Sequence, residues 1–290
     1  MSGVETLLNR RDAGFAASQP EAAGRDAADV RRYVRATLGW TIGIYALLAA
    51  ALAGILPAPV LVVGVPLIYV RLSLALHELL HLRPAARVPA FHRLAMIFDT
   101  PFGLGYREHR TLHLRHHRCG AGAADPELHQ IAGGHFSAFC NALVAPECSL
   151  VAWIRTRGVS APLAREGGFR LAAFVLVAAI DPAVFLLYWI VLRLSIGAAG
   201  FVFHHILHNR GGRLGTFALP VQDRALRAGT YVFGTEPMLI LARHRAHHLW
   251  PELRVRDLPD LPRGFAVPAG PVSPVLRAAA RAVAQGADHR

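Results

Sequence analysis

Residues 60–81 read VLVVGVPLIYVRLSLALHELLH, an apolar run from Val60 to Leu76 that passes directly into His77-Glu78-Leu79-Leu80-His81. On a helix, His77 and His81 at i and i+4 lie on one face, one above the other. Such a stretch is a spanning helix that carries two imidazoles just past its apolar part. Upstream, Leu38 to Leu56 is a second apolar run, and Pro57-Ala58-Pro59 joins the two. A span needs roughly 20 residues, so each run is about long enough. The pair reads as a helical hairpin with an uncharged turn.

Three further histidine clusters follow: His113-Leu114-Arg115-His116-His117, His204-His205-Ile206-Leu207-His208-Asn209 and His244-Arg245-Ala246-His247-His248. The spacings again put two or three imidazoles on one helix face. Neutral imidazole suits iron, zinc, copper and nickel. Four such faces offer too many ligands for one ion and about enough for two, which points to a dinuclear, histidine-rich site at a membrane boundary. His92, His129, His135 and His289 stand alone and read as ordinary surface or core residues. In the third cluster, His204 and His208 share a face, and either one could complete the metal shell. Glu78 and Asp125 are the carboxylates placed to hydrogen-bond ligand imidazoles from outside. Asp125 could equally cap the turn before Pro126.

The composition agrees with a membrane protein. The chain has 290 residues, of which 53% are hydrophobic, and a mean hydropathy of +0.35. The net charge of +12 comes entirely from arginine, since lysine is absent. Arginine-rich segments at 31–35, 83–118, 155–170 and 210–256 flank every histidine cluster, and the turn at 57–59 has none. By the positive-inside rule the clusters lie on the cytoplasmic side. The same charge would suit anionic lipid or an acidic electron-transfer partner. Nothing sets a basic, aromatic stripe apart for nucleic acid. Cys119, Cys140 and Cys148 form no CxxC pair and read as reduced thiols.

The organisation expected is all-α and polytopic. Residues 1–30 form a flexible N-terminal tail, 31–262 the membrane domain, and 263–290 a flexible C-terminal tail. Phe91 to Tyr106, broken by Pro101, Gly103 and Gly105, is expected to be interfacial or re-entrant. Ala132 to Trp153 is expected on the membrane surface. Phe169 to Leu192, interrupted at Asp181-Pro182, is expected to be a second hairpin. Two hairpins would then carry a cytoplasmic helical cap that holds the di-metal site.

The HxxxH, HxxHH and HxxHH boxes in this order resemble the membrane fatty-acid desaturase and hydroxylase superfamily. His113 to Arg118 followed by Asp125-Pro126-Glu127 looks like that family's second box. His244 to Pro251 followed by Leu258-Pro259 looks like its third box. The stretch from His204 to Arg210 is similar to the extra histidine site before that box. Carotenoid ketolases are similar too. Leu82-Arg83-Pro84 departs from the small or glycine-rich continuation common after the first box. The resemblance implies two non-haem iron ions held by His77, His81, His113, His116, His117, His244, His247 and His248, with His204 or His208. It implies O2 as co-substrate and a lipid or other hydrophobic substrate from the bilayer. No cytochrome b5-like or CxxC-based rubredoxin segment is read in the sequence, so a separate electron donor is expected, such as a ferredoxin, rubredoxin or reductase; arginine without lysine and the alanine richness suggest a bacterial source, hence a multi-pass location in a bacterial inner membrane. The first reading is a fatty-acyl or lipid desaturase. Alternatives are a lipid or alkane hydroxylase and a carotenoid ketolase or hydroxylase. HExxH at 77–81 also matches an intramembrane zinc protease, and a metal transporter is the non-catalytic reading.

Overall fold

The computed structural model describes residues 27–82, 88–97 and 99–287. Residues 1–26 of the expected N-terminal tail, Arg83-Pro84 and His289 lie outside the described residues, while 27–30 already belong to the first helix.

The described chain is mostly helical. Helix α1 (Ala27–Leu52) and α2 (Val60–His81) pack along their length as the apolar runs require. Gly64 permits the approach, because a Cβ there would meet the Leu47 side chain at 2.5 Å. Helix α3 (Val88–Ala95) follows, then α4 (Tyr106–Cys119) with the second histidine box. Helix α3 lies against α1 and is pinned there, the Tyr45 hydroxyl donating to the Leu94 carbonyl at 2.6 Å. Ala95 joins the same apolar cluster as Ile44, Leu72 and Tyr188. Helix α3 therefore packs among the long helices, overlapping the stretch expected to be interfacial or re-entrant.

Helices α5 (Leu128–Ile131), α6 (His135–Leu143), α7 (Ala145–Arg157), α8 (Ala161–Ala178) and α9 (Pro182–Gly200) follow. Three stretches are long and apolar enough to cross a membrane: Val30–Leu52, Val60–His81 and Pro182–Ile206. Helices α6 and α7, over the stretch expected on the membrane surface, together pass the same length and hydropathy test but are bent by 74°, the form of a broken span or a re-entrant loop. The break falls at Val144, two residues before Pro146, whose ring removes a donor and disfavours helix just ahead of it. The second hairpin differs. Asp181 caps α9 by accepting from the Ala183 and Val184 amides, and Phe174 meets Phe185 and Trp189 across the turn. Helix α8 itself carries Arg165, Glu166 and Arg170 and is not among the candidate spans. Exposed Ile42, Val63, Val175, Leu176, Leu186 and Ile190 leave an apolar outer surface on these helices, as a bilayer-facing protein requires.

After α9 the chain continues as a π-helical turn, Phe201–Ile206. A hairpin of β1 (Asn209–Arg210) and β2 (Arg213–Thr216) turns through Gly211 and Gly212, at φ +61 and +88. Both are left-handed positions that favour glycine. Helices α10 (Asp223–Phe233), α11 (Thr235–Ala242) and α12 (His244–Leu249) follow, then β3 (Val267–Pro268) and α13 (Pro274–Ala287). The flexible tail expected over 263–290 is corrected here. Strand β3 pairs with β2, and Ala280 of α13 is fully buried beside Leu249 and Trp250. The alanine and arginine repeat that suggested a loose tail is the pattern of a helix with one apolar face.

Candidate metal centre

The histidine boxes converge. The ring nitrogens of His77, His81, His113, His117 and His247 lie within 4.8 Å of one another, and those of His116, His208 and His248 form a second such group. Helix α2 supplies two of these residues, α4 three, α12 two and the segment after the π-turn one. The boxes meet because α4 is anchored onto α2: Tyr106 is buried there and its hydroxyl donates to the Leu79 carbonyl at 3.1 Å. Helix α12 is anchored by Arg245, a buried guanidinium that donates to the carbonyls of Leu261, Pro262 and Phe265. Arg243 grips both oxygens of Asp260 at 2.8 and 3.1 Å. The loop after the third box thus holds that box in place.

The contacts between rings are those of ligands around shared points. His81 Nε2 and His113 Nε2 are 2.9 Å apart, His113 Nε2 and His117 Nε2 3.1 Å, and His208 Nε2 and His244 Nε2 3.0 Å. Nitrogens each about 2.1 Å from one ion, at right angles about it, are about 3 Å apart. Both nitrogens of buried His248 have no hydrogen-bond partner among the described residues, nor has His117 Nδ1. Buried donors and acceptors are normally satisfied, and a cation at the second group would take one nitrogen of His248. The residues present therefore fit metal ions.

Outer contacts fix the tautomers. His116 Nδ1 is 2.8 Å from Asp125 Oδ2, and His208 Nδ1 is 2.9 Å from the Gly215 carbonyl. Each Nδ1 carries the proton, which turns the Nε2 lone pair inward. Asp125 also accepts from the Ala121 and Glu127 amides, so it is both ligand support and turn cap. Glu78, fully buried, lies 3.1 Å from His77 Nδ1. Burial pushes His113, His117, His244 and His248 well below the usual imidazole value, with neighbouring imidazoles adding to the effect. Burial takes His208 down to about 3. His116 is the exception. Burial pulls it down, but the Asp125 charge and hydrogen bond outweigh this and leave it raised.

Eight of the ten histidines expected as ligands fall in the two groups. His244 touches His208, and the His204 ring lies 5.4 Å from His116 centre to centre, so both sit at the edge of the second group. His205 points elsewhere, stacking on Phe201 and contacting His135 and the Ile131 carbonyl. Cys119 belongs to neither group among the described residues. His92 is fully buried and 3.2 Å from His109. His109 was not singled out from sequence, although it stands four residues before His113 on α4; it lines the cavity beside the centre.

That cavity has a volume of about 220 Å³. His77, His113 and His248 line it, and it continues between apolar residues such as Leu76, Leu104 and Ile196. No family model, curated protein or solved structure matches this chain. The site's chemistry rests on its own geometry: mostly buried imidazoles in two adjoining groups, opening on an apolar cavity among helices long enough to cross a membrane.

Proposed function

We propose that the chain is a membrane di-iron oxidoreductase that uses O2 to attack a C–H bond of a lipid chain, in the first place as a desaturase. The observation that carries this reading is the pairing of two imidazole groups with an apolar cavity. Two bound iron ions would supply the oxidant that an unactivated C–H bond requires. His77, His81, His113, His117 and His247 would hold one, and His116, His208 and His248 the other, with His244 and His204 at its margin. Asp125 and the Gly215 carbonyl orient their imidazoles. The apolar walls exclude water and hold the chain beside the centre. Such a reaction draws its electrons from a separate donor, and the arginine-rich face around the cap suits an acidic one.

Two observations favour this reading over its competitors. Glu78 of HExxH is buried against its own His77 and does not line the cavity, whereas a protease base must face the catalytic water. The ligands gather at the end of α2, not in a series along a pathway as transport would need. Hydroxylation and ketone formation share the first hydrogen abstraction with desaturation. Expression in a host of known lipid and carotenoid content, with mass spectrometry of the extract, separates them. Loss of two hydrogens marks desaturation, gain of one oxygen hydroxylation, and gain of oxygen with loss of two hydrogens ketone formation. An unchanged lipid extract from iron-loaded cells given an electron donor would overturn the reading.

A further inference from the structure

The cavity has polar lining besides the imidazoles. Tyr69 lines it eight residues before His77 on α2, which places it about 12 Å along the helix from the imidazoles. Asp99, from the turn between α3 and α4, and Ser149, from α7, line the cavity as well. Asp99 is 7% exposed, and its Oδ1 is buried with no hydrogen-bond partner among the described residues. Neither neighbouring arginine donates to Asp99 Oδ1 among the described residues, although Arg170 Nε and Nη1 have no partner there. Arg193 pairs with Glu147, donates to the Leu143 carbonyl and lies over the Trp189 ring. Arg170 pairs with Glu166 and donates to the Leu104 carbonyl. A buried carboxylate without a donor is costly, and an acidic group at this depth is rare unless it serves a ligand or a proton.

Resting on the oxygenase reading for the identity of the imidazole end, we propose that Asp99 accepts a hydrogen bond from a hydroxyl group of the substrate. The substrate is then a lipid with a hydroxyl group set apart from the carbon presented to the metal centre. A neutral hydroxyl suits the site better than an ammonium, because the Arg193 and Arg170 guanidinium groups act on Asp99 more strongly than the Glu147 carboxylate does and would repel a further cation there.

The test is equilibrium binding to the purified, metal-loaded protein in detergent, with dodecanol and dodecane as probes. Partition into micelles is common to all variants and cancels when their dodecanol-to-dodecane affinity ratios are compared. The wild type is expected to favour dodecanol by a ratio about tenfold or more above that of Asp99→Leu. Asp99→Asn keeps size and a carbonyl acceptor, should fold if the leucine variant does not, and is expected to fall between. An equal ratio in wild type and variants overturns the proposal. Iron content measured on the same samples separates the two ideas. Equal ratios with iron bound remove the Asp99 role alone. A shifted ratio with no iron retained keeps the hydroxyl site and removes the oxygenase reading.

Discussion

The two imidazole groups are built differently. The first has five members from three helices, among them both residues of the HxxxH box. The second has three, and one of these, His208, comes from outside the three boxes, from a segment set by a π-turn and a two-residue hairpin. Its smaller membership comes with outer contacts from Asp125 on His116 and the Gly215 carbonyl on His208, as Glu78 contacts His77 in the first. Helix spacing makes a crowded site, while a sparse site needs loops and carboxylates to aim each ring. A sparse group also leaves coordination positions open, as an ion meeting O2 or substrate requires.

The largest expected effect is loss of a ligand from the sparse group. His208→Ala should lower bound iron from two to one per chain and abolish turnover, as measured by elemental analysis and product formation. His81→Ala leaves four imidazoles in the first group and should keep more iron. Equal retention in the two variants would break the distinction between the groups. His92→Ala, outside both, should keep the full complement.

Next comes the outer support. Asp125→Asn should weaken iron retention by about 10–100-fold, seen as earlier loss in a chelator titration. Glu78→Gln should do the same to the first group by a smaller factor, since four other imidazoles remain. If Glu78→Gln leaves metal fully bound and the protein dead, a hydrolytic role for Glu78 gains.

How much of this was readable in the residues follows from the same contrast. The long apolar runs and the helix-borne histidines of the two groups were legible, because apolar length and i, i+3 or i, i+4 spacing are local properties. His109 was legible in principle, standing one helical turn before His113, but its partner His92 comes from a different helix. The parts that depend on long-range contacts were not legible. The bend at Val144, the packing of Ala280 and the inward turn of Asp99 depend on what faces them. The place of His208 depends on the Gly215 carbonyl, which β1 and β2 bring to it.

Acid should discriminate as well. His113, His117, His208, His244 and His248 are held below their usual value of 6.5. The unfolded chain therefore binds more protons than the folded one as pH falls through 6.5, and stability drops with it. For His208 the loss continues to about 3. His116 is raised and acts in the opposite sense, contributing stability that is lost as pH rises through its folded value. The thermal midpoint of chelator-treated protein should fall steadily from pH 6.5 to pH 4, and Asp125→Asn should steepen the fall. A midpoint flat over that range would contradict the buried, neutral state of these rings.

The smallest effect tests the scaffold that presents the second group. A Cβ at Gly200 would meet Gln130 Oε1 at 3.1 Å and the Ala142 side chain at 3.2 Å. Gly200→Val should destabilise the fold by about 1–3 kcal/mol, read from thermal unfolding, and should loosen iron in the second group before the first.

The central claim is two metal ions in two adjoining imidazole groups, and metal stoichiometry tests it most directly. Protein purified without chelator and loaded with ferrous iron under nitrogen should contain two irons per chain by elemental analysis, and admission of O2 should oxidise both. One zinc per chain, not replaced by iron and indifferent to O2, would contradict the account.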